Sequence, residues 1–427
     1  MRIPSLHREI SALSECTRGA KRCRFCDAAL TRTFVDLGRS PLANSLLSVD
    51  DIDRSEPTYP LHAYVCERCL LVQVQEFAPA ENIFNDYLYF SSYSQLWLDH
   101  CRDYAGQMVE RYRLGADSLV VEVASNDGYL LQYFKERGIG VLGIEPAANV
   151  TNVAQNKGIA TEVAFFGTET ARRLRTSGKS ADLMAANNVL AHVPNLHDFI
   201  GGFKLLLKPA GTATFEFPHL LRLIQENQFD TIYHEHFSYF SFHVVDKVFA
   251  RHGLRIYDVE SLSTHGGSLR IFVCHDDAPF SRAGRVNDMM ASERDAGLDR
   301  IDGYAGFAKS VLDIKCALLG FLIEARNAGK SVVGYGAPAK GNTLLNYCGV
   351  GRELLPYTVD ISPHKQGRYL PGVQIPIHAP EHIFATKPDF LLVLPWNIKE
   401  EIMQRMAAIR QWGGRFVVPI PGLTILS

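Results

Sequence analysis

Two pairs of cysteines near the start of the chain have the spacing of a metal site. Cys23 and Cys26 form one Cys-x-x-Cys pair, and Cys66 and Cys69 form the other. Two residues between thiolates let a turn place both sulfur atoms on one ion, and two such turns complete a tetrahedral zinc site. Four thiolates leave no open position for water or substrate, so we expect a structural Zn²⁺. A redox role is disfavoured because neither pair opens the helix of a βαβ unit.

A second group of reactive side chains is the run Tyr233, His234, Glu235 and His236. It combines a phenol, two imidazoles and a carboxyl group, which are the types that general acid–base catalysis uses. In an extended segment the histidines would point to one side and the other two residues to the opposite side, whereas a turn would mix the two sets. Metal binding by the last three residues is the competing interpretation.

A strand followed by a loop of small residues predicts a cofactor site in the middle of the chain. The run from Val120 to Gly128, VVEVASNDG, ends a strand and precedes a helix whose N-terminus supplies main-chain amides. Glu145 ends the next strand, where an acid can accept both hydroxyls of a ribose. These features fit S-adenosylmethionine and NAD(P) alike. Glu122 favours S-adenosylmethionine, because an acid there engages a cationic group and repels a pyrophosphate.

Other residues at the carboxyl edge of this sheet are candidate cofactor contacts. Phe166 lies where the loop after the third strand would pass an adenine, although packing in the core explains it equally well. Asn187 and Asn188 end the fourth strand and face the same crevice. The residues predicted to contact the cofactor are Glu122, Ala124, Asn126, Asp127, Gly128, Glu145, Phe166, Asn187 and Asn188.

A second loop of small residues lies in the last third of the chain. The run from Gly334 to Asn342, GYGAPAKGN, follows a strand, and Asp360 ends the next strand. One interpretation is that Lys340 and the loop amides contact the pyrophosphate or base of a substrate. The other is a duplicated fold that keeps its glycines for tight turns. Pro338 removes an amide donor, which counts against a complete phosphate cradle.

Hydrophobic patterning predicts the elements that position these residues. Strands alternate with helices from Leu96 onward, which predicts a parallel sheet with helices on both faces. Strands at Leu254–Glu260 and Gly267–His275 leave no room for a helix between them, so they predict a closing antiparallel hairpin. The alternation repeats after residue 330. We therefore predict an α/β protein with three domains: residues 1–95 with the cysteine pairs and an aromatic segment, 96–277, and 278–427.

Composition and charge narrow the function. The 427 residues are 47% hydrophobic and 21% charged, with a formal net charge of −2, as in ordinary globular proteins. No long basic run indicates a nucleic-acid partner. No run approaches the roughly 20 apolar residues of a membrane span, and the first residues lack the apolar stretch of a signal peptide. We expect a cytoplasmic enzyme without a nucleic-acid or membrane partner.

Together these features resemble a known family. The motifs occur in this order: the two cysteine pairs, Asp86-Tyr-Leu-Tyr-Phe-Ser-Ser92, Glu122–Gly128, Asn188-Val-Leu-Ala-His192-Val193, Tyr233–Tyr239 and Gly334–Asn342. The combination resembles the nucleotide-sugar C-methyltransferases, including the sugar C-3'-methyltransferases of deoxysugar pathways, from about Cys23 to Pro421. The resemblance implies a class I (Rossmann-like) methyltransferase domain in the centre and a second Rossmann-like domain after it. Ala124 departs from many methyltransferases, which have glycine there.

The resemblance also implies a reaction and its residues. S-adenosylmethionine and structural Zn²⁺ are the expected cofactors, and the expected substrate is a dTDP- or GDP-linked 4-keto-6-deoxy sugar, methylated at C-3' through an enolate. His236 is the expected base, Glu235 orients or tunes a histidine, and Tyr233 donates to the enolate oxygen. His192, close to the methyl end of the cofactor, is a second acid–base candidate, and Tyr87 faces the substrate. The residues predicted to bind substrate are Tyr89, His234, Lys340 and Asn342.

Three other functions remain open from the sequence. An NAD(P)-dependent oxidoreductase with structural zinc would keep both glycine-containing loops but would not need Glu122. An O- or N-methyltransferase acting on a sugar would need no enolate. A zinc-ribbon scaffold for protein or nucleic-acid binding is disfavoured by the charge balance. The sequence does not predict the nucleotide, the sugar stereochemistry or the oligomeric state.

Overall fold

The computed structural model describes residues 21–77 and 91–427. The predicted substrate-facing residues Tyr87 and Tyr89 lie outside the described residues. The strands, in chain order, are β1 Arg32–Ser40, β2 Tyr59–Val65, β3 Val72–Val74, β4 Leu119–Val123, β5 Gly140–Ile144, β6 Thr161–Glu162, β7 Ala181–Asn187, β8 Leu207–Pro218, β9 Ser238–Tyr239, β10 Leu254–Leu262, β11 Ser268–His275, β12 Val332–Tyr335, β13 Thr358–Val359, β14 Ile377–His378, β15 Phe390–Val393, β16 Arg415–Val418 and β17 Thr424–Leu426.

The α-helices of the described residues connect these strands. They are α1 Gln95–Tyr112, α2 Leu131–Lys135, α3 Ala148–Asn156, α4 Thr168–Thr176, α5 Leu196–Leu206, α6 Leu220–Gln225, α7 Phe242–Ala250, α8 Gly284–Asp295, α9 Phe307–Asn327, α10 Ala339–Cys348, α11 Glu381–Thr386 and α12 Lys399–Arg405. Helix α12 is followed by a 3-10 helix, Ala407–Trp412. No helix in the described ranges has the length and apolar character needed to cross a bilayer.

The central domain is built on a seven-stranded sheet with the order β10-β11-β8-β7-β4-β5-β6. Strands β8, β7, β4, β5 and β6 are parallel to their neighbours, whereas β11 is antiparallel to both β8 and β10. The middle strands β4 and β7 are mostly apolar and almost entirely buried, as expected for a parallel sheet covered by helices. The predicted parallel sheet with a closing hairpin is confirmed.

The N-terminal sheet includes a strand from the central part of the chain. Its order is β1-β2-β3-β9, and all of its pairs are antiparallel. Residues 238 and 239 of β9 pair with 73 and 72 of β3, and they come directly after the predicted acid–base run. The cysteine module is therefore joined by main-chain hydrogen bonds to the segment that carries His236.

The C-terminal domain repeats the parallel arrangement on a smaller scale. Its sheet has the order β14-β13-β12-β15-β16-β17, and only β17 is antiparallel to its neighbour. Strand β12 lies in the middle, so the loop of small residues that follows it leaves the sheet at the point where the strand order reverses. Ligands bind at such switch points in open α/β sheets. The predicted second Rossmann-like domain is confirmed.

Candidate active site

The two cysteine pairs form one cluster. The four Sγ atoms all lie within 4.8 Å of one another, and within the described residues no other group of histidine, cysteine or acidic side chains meets this criterion. The two turns are alike: the residue after each second cysteine, Asp27 or Leu70, has a positive φ and donates its N–H to the carbonyl of the first cysteine. Gln73 Nε2 donates to Cys23 Sγ over 3.1 Å. An all-thiolate donor set with this spacing fits Zn²⁺.

The loop after β4 bends sharply at the carboxyl edge of the central sheet. Ala124, Asn126 and Gly128 have φ angles of 57°, 48° and 78°, all in the left-handed region. Two features favour glycine at position 128: its φ angle is positive, and a Cβ there would lie 2.3 Å from Ile159 Cδ1. Ala124 adopts a conformation that glycine adopts without strain, so the alanine noted in the sequence costs conformational energy.

Acidic groups line this crevice. Glu145 accepts from the main-chain N–H of Asn126 (3.0 Å) and of Ala147 (2.9 Å), so it holds the loop against the next strand. Glu122 has 0% exposure, and neither carboxyl oxygen makes a hydrogen bond of ordinary geometry within the described residues. Burial, and then the neighbouring Asp127 and Glu145, raise the pKa of Glu122 well above its usual value.

The crevice also contains side-chain oxygens that lack a partner among the described residues. Asp127 Oδ1, Asn187 Oδ1 and Asn188 Oδ1 are buried and accept no hydrogen bond there. Buried acceptors of this kind call for donors. The site therefore fits a ligand with hydroxyl donors and a cationic end, as S-adenosylmethionine has.

Phe166 takes a packing position. Its ring lies edge-on to Phe199 and Phe203 of α5, with centroid distances of 5.8 and 5.0 Å. Gly202 in the same helix leaves room for it, since a Cβ at Gly202 would lie 2.8 Å from the Phe166 ring. The core-packing interpretation of Phe166 therefore accounts for its contacts, and its predicted contact with adenine stays a prediction.

The acid–base run forms a turn, which brings Tyr233 and His236 together. The His236 N–H donates to the Tyr233 carbonyl over 2.9 Å, and the Tyr233 hydroxyl lies 2.9 Å from His236 Nε2. His236 Nδ1 lies 2.8 Å from the carbonyl of Thr231, which can only accept. In the neutral ring Nδ1 therefore carries the proton, and the Nε2 lone pair accepts from Tyr233.

His192 stands next to this pair. A 3-10 helix, Leu190–His192, follows β7 and sets the His192 ring 4.7 Å from that of His236. Its Nδ1 donates to the main-chain carbonyl of Glu235 over 2.8 Å. Burial lowers the pKa of His192 to about 4. Burial, followed by the neighbouring His192, lowers the pKa of His236 well below its usual value, so both rings are neutral near pH 7.

The side chains of Glu235 and His234 face the cysteine module. Both Glu235 oxygens accept from Asn44 Nδ2, over 2.8 and 3.0 Å, and burial raises the pKa of this carboxyl group to about 7. Glu235 contacts His192 through its main-chain carbonyl, so the expected orienting role falls to the backbone, while the carboxylate bonds to Asn44. His234 Nε2 lies 3.2 Å from the Pro60 carbonyl of β2. The alternative of a metal site at residues 234–236 finds no support in the described residues.

The loop of small residues after β12 leads into a helix that carries a cationic side chain, Lys340, and a buried amide side chain, Asn342. Lys340 Nζ donates to Asn397 Oδ1 over 2.6 Å and lies 4.5 Å from the centre of the Trp396 ring. Burial lowers the pKa of Lys340 to about 8, against the opposing effect of Asp230. The Asn342 side chain has 1% exposure, and neither its nitrogen nor its oxygen has a hydrogen-bond partner in the described part of the chain.

Two residues near the site were missed by the sequence reasoning. Asn44, which holds Glu235, had no signal in the sequence because its partner is far away along the chain. His265 lies in the turn between β10 and β11 with φ 55°, and its ring contacts that of Trp97 edge-on at 5.4 Å. Burial and then Lys340 lower the pKa of His265 to about 4. The run Thr264-His265-Gly266-Gly267 was its available signal, since two glycines mark an unusual backbone.

Family models cover most of the chain. Residues 23–84 match a model described as "Putative zinc binding domain", residues 97–259 match a "Methyltransferase domain", and residues 263–421 match a "C-methyltransferase C-terminal domain". A curated relative, "C-methyltransferase NovU" of Streptomyces niveus, is 36% identical over 415 residues, which are 97% of this chain and 99% of the relative.

Solved structures of methyltransferases align with less than half of the chain. An S-adenosylmethionine-dependent methyltransferase from Clostridium acetobutylicum aligns with 42% of this chain and 92% of its own, at 11% identity and a TM-score of 0.33. The magnesium protoporphyrin IX methyltransferase of Synechocystis, solved with bound S-adenosylmethionine, aligns with 46% of this chain and 88% of its own, at 15% identity and a TM-score of 0.32.

Proposed function

This chain belongs to the family of S-adenosylmethionine-dependent C-methyltransferases with an N-terminal zinc-binding domain, and from that premise we propose that it methylates C-3' of a nucleotide-linked 4-keto-6-deoxy sugar through an enolate. Family membership excludes the NAD(P)-dependent oxidoreductase considered from the sequence. The remaining question is what kind of carbon the enzyme methylates.

The observation that carries this proposal is the pairing of Tyr233 with a neutral His236. The Thr231 carbonyl holds the proton on Nδ1, so Nε2 is the basic atom, and a phenol that can donate lies 2.9 Å from it. A base beside a hydrogen-bond donor is what removal of a proton next to a carbonyl group requires. An O- or N-acceptor would need the base but no second donor for a developing enolate.

Each residue then has a defined task in the reaction. The ketone at C-4' acidifies the C-3' proton, which passes to His236 Nε2, while the C–H electron pair moves into the enolate. The ketone oxygen takes over the hydrogen bond that Tyr233 gives to Nε2 in the resting site, which frees the Nε2 lone pair and stabilises the enolate oxygen. Bound S-adenosylmethionine supplies the electrophilic methyl group. Because His192 is neutral, it adds no second positive charge beside the imidazolium that forms at His236.

The nucleotide end of the substrate is assigned to the second loop. A sugar nucleotide is anionic, and the helix after this loop begins with Lys340, a partly buried cation, followed by Asn342, whose buried amide has no hydrogen-bond partner among the described residues. A phosphate would give Lys340 an anionic acceptor in addition to the neutral Asn397 amide, and a phosphate or a nucleobase would supply the partners that the Asn342 amide lacks. His234 remains a predicted substrate contact, although its ring packs near Tyr59 of the zinc module.

The test is direct. The protein is incubated with S-adenosylmethionine and a panel of dTDP- and GDP-linked 4-keto-6-deoxy sugars, and mass spectrometry detects a methyl gain. We expect His236→Asn to lower turnover at least ~100-fold, because a general base is lost. Its affinity for S-adenosylhomocysteine should stay within a few-fold of wild type.

His378→Asn is the matched control, since His378 lies at the edge of the C-terminal sheet. We expect it to keep wild-type turnover. A His236→Asn enzyme with full activity, or a wild-type enzyme that methylates only hydroxyl or amino groups of non-keto sugars, would contradict the proposal.

A further inference from the structure

A buried hydrogen bond joins the C-terminal domain to the segment just before the acid–base turn. Asp230 has 0% exposure, and its Oδ2 accepts from Trp396 Nε1 over 2.7 Å. Trp396 opens the 3-10 helix Trp396–Ile398, which follows β15. Asp230 lies in the 3-10 helix Phe229–Thr231, which leads into the turn that carries His236.

The position of the Asp230–Trp396 hydrogen bond matters because the next residue in the chain, Thr231, contacts the proposed base, His236. The Thr231 carbonyl accepts from His236 Nδ1 over 2.8 Å, and Thr231 is covalently attached to Asp230. The short helix has a second anchor on the same domain: Phe229 is fully buried, and its ring lies 5.3 Å from that of Tyr347 in α10. Fixing Asp230 and Phe229 therefore restricts where the Thr231 carbonyl points.

Trp396 is itself held in place from two other directions. Gly266 packs directly against its ring, where an added Cβ would lie 2.6 Å from Trp396 Cη2. Lys340 lies on the ring face, 4.5 Å from the centroid, and bonds to the next residue, Asn397. The indole is thus a rigid donor, and it contacts a residue to which the substrate is assigned.

We infer that Trp396 and Asp230 are a positioning pair, through which the C-terminal domain fixes the Thr231 carbonyl and so holds the His236 ring with Nε2 aimed at the substrate carbon. This inference rests on the proposed function of His236 as base. Neither residue touches the reacting atoms. Their effect is on the alignment of the base, and an error of about 1 Å in such alignment can cost ~100-fold in rate.

Trp396→Phe tests the pair because it removes the N–H donor and keeps an aromatic ring. The readout is exchange of the substrate C-3' proton with D₂O in the presence of S-adenosylhomocysteine, which reports proton abstraction without methyl transfer. We expect exchange and kcat to fall at least ~10-fold, with KM and the affinity for S-adenosylhomocysteine within about threefold. The matched control is Trp412→Phe, since Trp412 Nε1 donates to the Pro388 carbonyl in the same domain, and it should exchange at the wild-type rate.

Substitutions of Asp230 separate positioning from general loss of stability. Asp230→Asn keeps an oxygen that can accept from Trp396, so it should retain most of the exchange rate, whereas Asp230→Ala should lose as much as Trp396→Phe. The double variant Trp396→Phe/Asp230→Ala should be no slower than Asp230→Ala alone, since the two act through one bond. Wild-type exchange in Trp396→Phe, or fully additive losses in the double variant, would overturn the inference.

A spectroscopic readout keeps the inference testable even if the proposed function fails. If the wild-type protein neither exchanges nor methylates any keto-sugar, the role of His236 as base falls. In that case ¹⁵N chemical shifts of the histidine rings, assigned to His236 by the signals lost in His236→Asn, report its tautomer. Trp396→Phe should shift them away from the Nδ1-protonated form and Trp412→Phe should not. Unchanged shifts in Trp396→Phe would overturn the pair by themselves.

Discussion

The loops of small residues that follow β4 and β12 share one pattern of main-chain hydrogen bonds and differ in the charge of the side chains near them. In the central domain Ala124 donates its N–H to Ile144, and Glu145 then accepts two main-chain N–H groups of its own loops. In the C-terminal domain Gly336 donates to Val359, and Asp360 accepts from the N–H of Ala337 and of Ser362, each over 2.8 Å. An acid at the end of the second strand thus fastens the loop in both domains.

The difference lies two residues before this shared contact. The central strand has Glu122 there, whereas the C-terminal strand has Gly334, and a Cβ at Gly334 would lie 2.7 Å from Thr358 Oγ1. The C-terminal loop therefore has no room for the acid, and its helix begins with Lys340 in its first turn instead. Under the proposed function, one architecture serves a cationic ligand in the centre and an anionic one at the C-terminus. Identical folds do not imply identical ligands.

Among the substitutions that test this comparison, Glu122→Gln should have the largest effect, a loss of cofactor affinity. A charged partner of the cofactor is lost from a water-excluded site, so we expect S-adenosylhomocysteine to bind ~10- to 100-fold more weakly. For the stability of the ligand-free protein, we expect the substitution to have a favourable rather than an unfavourable effect. The raised pKa of Glu122 means that the folded state prefers the protonated acid, so stability is lost as pH rises from the unfolded value toward the folded one. The Gln variant escapes this loss and should be at least as stable at pH 7.

Calorimetric titration measures the affinity for S-adenosylhomocysteine, and urea unfolding at pH 5 and pH 7 measures the stability. Asp360→Asn is the control from the other loop, since it removes a buried acid of the C-terminal domain without touching the central crevice, and its affinity for S-adenosylhomocysteine should be unchanged. Equal losses of affinity in both variants would mean that the two crevices do not differ as described.

Lys340→Met should have an intermediate effect, and on the other ligand. Loss of a charged hydrogen bond to an anionic group should raise KM for the nucleotide sugar ~10-fold, with cofactor affinity unchanged. Because the pKa of Lys340 is about 8, the ammonium is present below that pH and lost above it. The wild-type KM should therefore rise above about pH 8, while that of the Met variant should stay flat.

Lys365→Met is the matched control for this second ligand. Lys365 belongs to the same loop region, but its Nζ donates to the Ala337 carbonyl over 2.9 Å and lies 3.8 Å from Asp360 Oδ2, so its charge is already balanced, whereas Lys340 donates to the neutral amide of Asn397. It should alter stability more than KM. If both substitutions raise KM equally, the loop acts through its total charge, and a specific contact by Lys340 is not needed.

The sequence predicted the parts of this comparison that depend on local pattern. Strands such as β4 and β7, the closing hairpin and the cysteine pairs are visible as apolar runs and short spacings. The sequence left the geometry of residues 233–236 undecided, because a turn there depends on contacts with Ala191, Val74 and Asn44 in distant segments. The pairing of β9 with the zinc module and the Asp230–Trp396 bond also join residues far apart in the chain, and no local pattern encodes them.

Ala124→Gly should have the smallest effect, and it tests whether the two loops are as alike in backbone as their hydrogen bonds suggest. Ala124 and Gly336 occupy matching places with φ angles of 57° and 90°. An alanine in this region carries about 1–2 kcal/mol of strain, while glycine gives back about 0.5–1 kcal/mol through the freedom of the unfolded chain. The balance predicts a gain of up to about 1.5 kcal/mol in the free energy of unfolding.

Ala171→Gly, a buried position in the ordinary helix α4, should instead lose about 1 kcal/mol. Urea unfolding of both variants gives the comparison. A loss at Ala124 as large as that at Ala171 would mean that the Ala124 methyl group packs against its surroundings strongly enough to outweigh the strain. The alanine would then be a part of the cofactor crevice that has no counterpart at Gly336, and the two loops would differ in packing as well as in charge.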